Sequence, residues 1–271
     1  MHFIDEFTLI AKEYIANLSK DPVYPKQEII ENLKQFDTAL QQESIDANEI
    51  LALLHKFGSP ATVKSTGGRY FGFVTGGSLP AALSAKLLAS VWDQNGALPV
   101  MSPVSTTLEE VAGKWLLQIF GLSMQSGFGF VSGDTMANFT ALAAARHSLL
   151  KNIGWDVEAN GLFYAPEIKV IVGEEVHVSL LKALNMLGFG RDRVTRVPVD
   201  EQGRMIADKI MLTNEPTIIC TQAGNVNTGS FDPLEEICTK FKGQNVWIHV
   251  DAAFGLWAVV SEKKKTFRKR N

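Results

Sequence analysis

Ile248-His249-Val250-Asp251-Ala252-Ala253-Phe254-Gly255 is an apolar run that ends in an aspartate and two small residues. An apolar run of this length, with β-branched residues, reads as a strand buried on both faces, the kind that fills parallel sheets covered by helices. In such sheets ligands bind beyond the carboxyl ends of the strands. Asp251 stands at that end. Ala252 and Ala253 are small enough to let a flat ring lie against the backbone.

Upstream, short apolar runs alternate with amphipathic stretches. Strands are expected at Phe128 to Val131, Ile168 to Val172, Val194 to Val197, Thr217 to Thr221 and Val246 to Val250. Between them helices are expected over Thr135 to Leu150, Val178 to Leu187 and Pro233 to Phe241. This alternation predicts an α/β domain with a mostly parallel sheet between helices. Ahead of it, apolar residues recur at helical spacing from Phe3 to Leu18 and from Gln27 to Phe57, with Asp21-Pro22 and Pro25 breaking the chain between them. Two more helices are expected, from about Pro80 to Trp92 and from about Thr106 to Phe120. The segment Gly67 to Gly77 is too rich in glycine for a helix and too aromatic for a linker, and reads as the lining of something.

A chain of 271 residues, 46% hydrophobic and 20% charged, has material for a large core. Its net charge of −3 argues against nucleic acid as a partner. Lys263, Lys264, Lys265, Arg268, Lys269 and Arg270 make a basic end that reads as a solvated tail. Cys220 and Cys238 show no CxxC spacing, so no disulfide framework and no metal site are expected. Met1 to Lys20 carries Asp5, Glu6, Lys12 and Glu13 and does not read as a signal peptide. No uncharged apolar run is long enough to span a bilayer, and a cytoplasmic protein with no membrane partner is the expectation.

The residues just after the expected strands carry the chemistry. Ser132-Gly133-Asp134-Thr135 enters a helix, where glycine permits close approach and the first amides attract an anion such as phosphate. Helix capping is the alternative for this quartet. His177 offers a flat imidazole that can stack on a ring or carry a proton, or serve only as a hydrogen-bond partner of the helix start. Gly224-Asn225-Val226-Asn227-Thr228-Gly229 offers amides and hydroxyls to a ligand, or simply forms a turn. A carboxylate at Asp251 would stabilise the charged form of a ring nitrogen beside it. The spacing GxGxxxG from Gly127 to Gly133 is one residue too long for the dinucleotide fingerprint, and there is no GxxxxGK[ST] loop.

Taken together these residues resemble the group II pyridoxal-phosphate-dependent amino acid decarboxylases, which include the aromatic amino acid and glutamate decarboxylases. The likeness runs from about Gly68 to Phe254 and takes in Tyr70-Phe71-Gly72-Phe73 with Thr75 and Pro80, Ser102-Pro103 with Thr106 and Glu109, and Ser230-Phe231-Asp232-Pro233. It implies the large domain of fold type I, pyridoxal 5'-phosphate as cofactor, an amino acid as substrate and a homodimer. It also implies roles. Gly133, Asp134 and Thr135 would meet the phosphate, and His177 would stack on the ring as the catalytic histidine. Asn225 would bind the cofactor, Asp251 would pair with the ring nitrogen and Ala253 would pack on the ring. Phe73 and Thr75 would face the substrate. At Gly224-Asn225-Val226-Asn227 the chain departs from the threonine run of the aromatic decarboxylases, which points away from an aromatic substrate.

In the family an Asp-x-His-Lys segment follows the ring-nitrogen aspartate by roughly thirty residues and supplies the lysine that holds the cofactor covalently. No His-Lys pair follows Asp251 here. The expectation is therefore an N-terminal helical dimerisation segment over 1–60, an incomplete cofactor-binding large domain over 61–260, a basic tail over 261–271, and no C-terminal small domain. Such a chain would be a decarboxylase by family with activity lost or impaired. A noncatalytic partner of a full-length homologue, or another lyase or aminotransferase of the same fold, is the alternative.

Overall fold

In the computed structural model, which describes residues 2–253 and 255–261, the basic end falls outside the described residues from position 262 onward. The chain divides into two compact units, Met1–Asn95 and Gly96–Asn271, a boundary later than the one expected at residue 60.

The second unit is organised by four strands, β1 (Lys169–Gly173), β2 (Thr195–Val197), β3 (Thr217–Gln222) and β4 (Val246–Asp251). They form one sheet in the order β2-β1-β3-β4, with every ladder parallel. Successive side chains of a strand point to opposite faces. Val170, Val172, Ile218 and Cys220 accordingly pack into one core with Leu142, Leu149, Leu180 and Leu184, while Ile171 and Ile219 join a second core with Met205, Ile210, Ile237 and Phe241. Burial on both faces explains why the strands read as unbroken apolar runs.

Helices complete the layers: α5 (Pro103–Phe120), α6 (Asp134–Asn152), the short α7 (Val157–Asn160), α8 (Val178–Met186) and α9 (Leu234–Lys240). Leu142, Ala145 and Leu149 recur at helical spacing and are at most 2% exposed, which sets the buried face of α6. α5 starts where Ser102 accepts from the Ser105 amide and Pro103 occupies the first turn, and it stops at Gly121, whose φ of 67° suits glycine.

The expected strand at Phe128 to Val131 is not one: this stretch joins no ladder among the described residues. An apolar run becomes a strand only where a partner can take its backbone groups. Here the Phe128 ring packs instead against α5 at Gly113, so closely that a Cβ there would overlap it.

In the first unit α1 (His2–Asn17) and α4 (Pro80–Trp92) match the expected helices, α4 opening on a proline that suits a first turn. The expected helical stretch Gln27 to Phe57 is broken. Its helix α2 (Gln27–Glu31) runs on into a 3-10 helix (Asn32–Phe36), and a non-helical passage that includes Gln41-Gln42-Glu43-Ser44, where a helix would have no apolar face to bury, separates these from α3 (Ala47–Leu53). The segment Gly67 to Gly77 is tied within this unit, since Gly67 lies against the carbonyls of Leu18 and Lys64 and Arg69 donates to the carbonyl of Asp21. Lys64 is 4% exposed, and its charge is met by Asp21 at 3.4 Å and by the face of Tyr14, 3.9 Å from the ring centre. Among the described residues no helix is long and apolar enough to cross a membrane.

Candidate functional site

Register decides which side chains meet. Gln222 lies opposite Asp251 and Cys220 opposite His249 in the β3–β4 ladder, while Gly173 closes β1 at the same end of the sheet. The turns that leave these strand ends carry most of the residues singled out above.

Gly133 precedes α6 in an extended conformation, and no heavy atom lies within 4 Å of where its Cβ would be. The first-turn amides of Asp134 and Thr135 have no acceptor within the helix. Open space in front of such amides is a cradle for an anion. The Asp134 carboxylate is turned elsewhere: it accepts from the Ser179 hydroxyl and, at 3.2 Å, from the Asn138 amide.

His177 is the N-cap of α8. Its Nδ1 lies 2.7 Å from Ser179 Oγ and 3.3 Å from the Ser179 amide. The Ser179 hydroxyl has one proton, and that proton goes to Asp134. Nδ1 accepts the Ser179 amide as the cap of the helix, so Nδ1 carries the lone pair and the ring proton is on Nε2. Half of the imidazole surface is open to solvent, so a planar group can lie against it.

Asp251 is 8% exposed. Its Oδ1 accepts from the Ala253 amide at 3.3 Å, and its Oδ2 accepts from Asn138 Nδ2 at 3.3 Å. Asn138 also receives His249 Nε2 on its Oδ1, at 2.7 Å. Burial holds the His249 imidazole below its ordinary range, and the nearby Asp251 and Asp134 offset this only in part.

Asn225 is 3% exposed, with both ends of its side chain engaged. Its Oδ1 accepts from the amides of Asn227 and Thr228, and its Nδ2 donates to Glu175. Asp232 accepts the Met205 amide on one oxygen and the Gln222 amide on the other, each at 2.7 Å, and so fixes the exit of β3. Phe73 and Thr75 lie in the first unit, where Phe73 is exposed and has a φ of 54°.

Geometry thus brings together Gly133, Asp134, Thr135, His177, Asp251 and Ala253. It adds three residues that the sequence reading passed over as participants: Asn138, Ser179 and His249. Asn138 is four residues after Asp134 on one helix face, and His249 is two before Asp251 on one strand face, but nothing in either spacing says that the two faces meet. The partly open pocket bordered by Gly173, His177, Thr221 and Asp251 has only about 20 Å³ of water-sized space. That is room for water. The donor set suits a ligand with an anionic group at the start of α6 and a flat, basic ring between His177 and Asp251.

Comparisons with known proteins agree with this chemistry. A family model described as the pyridoxal-dependent decarboxylase conserved domain matches residues 30–270. The acidic amino acid decarboxylase GADL1 of Xenopus tropicalis is 28% identical over 250 residues, which cover 89% of this chain and 47% of that protein. The crystal structure of mouse CSAD superposes with a TM-score of 0.87 at 25% identity, over 99% of this chain and 57% of that one. The glutamate decarboxylase domain of a Vibrio parahaemolyticus protein shares the fold, with a TM-score of 0.86 at 18% identity, over 98% of this chain and 60% of that one. The chain spans about half the length of the curated relative it matches.

Proposed function

We propose that this chain, which belongs to the pyridoxal-dependent decarboxylase family, forms the cofactor-holding part of an amino acid decarboxylase that uses pyridoxal 5'-phosphate. One observation carries the reading. The open start of α6, the imidazole of His177 and the carboxylate of Asp251 converge beyond the carboxyl ends of parallel strands, linked through Asp134 and Asn138.

The residues divide the work. The amides of Asp134 and Thr135, with Gly133 leaving space, hold the phosphate, and the Thr135 hydroxyl adds a donor. His177 lies against the ring, and Ala253 gives it a small surface to rest on. Asp251 keeps the ring nitrogen protonated by stabilising its charged form. When bound, the cofactor supplies an electron sink for the pair left as carbon dioxide departs from an amino acid. Asn225 shapes the turn after β3 and acts on the cofactor only through that turn.

Substrate and assembly follow the same reading. The relative that acts on acidic amino acids, together with the Gly224-Asn225-Val226-Asn227 turn, supports a non-aromatic amino acid as substrate. Phe73 and Thr75 face that substrate, and the protein works in the cytoplasm as a homodimer through its N-terminal helices. No His-Lys pair follows Asp251 in these 271 residues. A polypeptide of these 271 residues is expected to bind the cofactor without a covalent link.

Titration of the chain with pyridoxal 5'-phosphate, followed by borohydride reduction and mass spectrometry, tests this. Saturable binding without a covalent adduct is expected, and Asp251→Ala should weaken it by about tenfold or more, the worth of one charge-assisted hydrogen bond. Affinity unchanged by Asp251→Ala would remove Asp251 from the site, and an adduct on one lysine would overturn noncovalent binding.

A further inference from the structure

Asn138 makes every hydrogen bond its side chain can readily make. An amide nitrogen has two protons, and here one points at Asp134 Oδ2 at 3.2 Å and the other at Asp251 Oδ2 at 3.3 Å. Its carbonyl oxygen faces His249 Nε2 at 2.7 Å. The residue is 3% exposed, as is expected of a polar side chain whose partners are all protein. Turning the amide over would set its oxygen against two carboxylates, so its orientation is fixed. With the oxygen facing the imidazole, His249 must carry a proton on Nε2.

Two elements far apart in sequence are joined here, for Asn138 and Asp251 are 113 residues apart. Asp134 accepts in turn from the Ser179 hydroxyl, and His177 Nδ1 accepts the amide of that same serine. Hydrogen bonds therefore run from the Ser179 hydroxyl, beside the half-exposed imidazole of His177, through Asp134 and Asn138 to the buried carboxylate of Asp251.

We propose that Asn138 is a positioning residue of the cofactor site: its single side chain orients the carboxylates of both Asp134 and Asp251 and fixes the tautomer of His249. The inference rests on the cofactor reading given above. Its consequence is that Asp251 presents its remaining lone pairs to the ring nitrogen in one direction. The same residue ties the phosphate end of the site to the ring-nitrogen end. The titratable groups facing His249 are Asp134 on α6, Asp251 on its own strand and Cys220 opposite it on β3.

The test uses the 271-residue chain and its Asn138→Asp and Asn138→Ala variants, with two readouts. Nitrogen-15 spectra of the histidine rings, taken across a pH series, report the His249 tautomer without any cofactor. The parent should show His249 with its proton on Nε2. Asn138→Asp, which sets a carboxylate against that nitrogen, should move the titration of His249 upward, and Asn138→Ala should release the tautomer. An unchanged His249 in both variants overturns the proposal whatever the cofactor does.

Titration with pyridoxal 5'-phosphate is the second readout. Dissociation constants raised about tenfold or more in both variants, with an altered pH dependence of the bound absorbance, support the proposal; parent-like binding overturns it and leaves the cofactor reading intact. If the parent itself fails to bind while His249 responds as expected, it is the cofactor reading that falls, and with it the role assigned to Asn138. A circular dichroism melt of each variant separates loss of positioning from loss of fold.

Discussion

Asn225 donates from Nδ2 to Glu175 Oε2 at 2.7 Å, and the two side chains close over Gly203. A Cβ on Gly203 would sit 2.5 Å from that Glu175 oxygen and 2.7 Å from the Asn225 nitrogen, at a φ of +74° that side chains rarely adopt. Gly203→Ala should therefore cost about 2 to 3 kcal/mol of stability, through backbone strain and a broken Asn225–Glu175 pair. Urea denaturation measures it, and a parent-like midpoint would refute it.

Asp232 should matter to the fold more than to the chemistry. Replacing it with alanine orphans the amides of Met205 and Gln222 where water hardly reaches. The expected loss is about 2 to 4 kcal/mol. Asp232→Asn, which keeps one acceptor, should lose roughly half as much on the same scale. Equal melting temperatures for all three proteins would sink the assignment.

Acid should weaken the fold through His249. Burial lowers its folded value below the ordinary 6.5, so in the window beneath 6.5 the unfolded chain binds a proton that the folded chain does not. The stability this provides is whole above 6.5 and is lost as pH falls through that window. Denaturation curves at about pH 7.5 and about pH 5.5 should show the loss, and His249→Gln should flatten it. A parent slope that survives in His249→Gln would assign the effect to another group.

The two cysteines should differ in reactivity. Cys220 is buried, and burial, reinforced by Asp251, pushes its thiol far above the ordinary range, whereas Cys238 is exposed. Iodoacetamide should modify Cys238 in the native protein and reach Cys220 only on unfolding, at rates at least about a hundredfold apart. Simultaneous modification, followed by mass spectrometry of the peptides, would contradict the buried placement.

The sheet was legible because its evidence is repeated at every strand. Val170, Ile171 and Val172 are all apolar since each faces a core, and the same holds for Ile218, Ile219 and Cys220. Phe128 to Val131 has the same composition, yet nothing local says whether a partner strand exists, and its aromatic ring goes to Gly113 instead. At the site, Asp251 and His177 could be read from their places after apolar runs. Asn138 could not, because its partners Asp251 and His249 are more than a hundred positions away and only the parallel register of β3 with β4 brings them to α6. The partners of Asn225 were equally hidden, since its Oδ1 takes the amides of its own turn and its Nδ2 reaches Glu175 fifty positions away.

The order β2-β1-β3-β4 has a consequence for how the protein is made. Every ladder is parallel, so no hairpin can start the sheet and each pairing waits for a crossover to be completed. Asp251 arrives on β4, whose ladder partner among the described residues is β3. During synthesis the ribosome releases Asn138 113 residues ahead of Asp251, a delay of roughly 6 to 23 seconds at cellular elongation rates. For that interval the polar face of α6 has neither His249 nor Asp251 to receive it, and the growing chain carries half a site until β4 arrives.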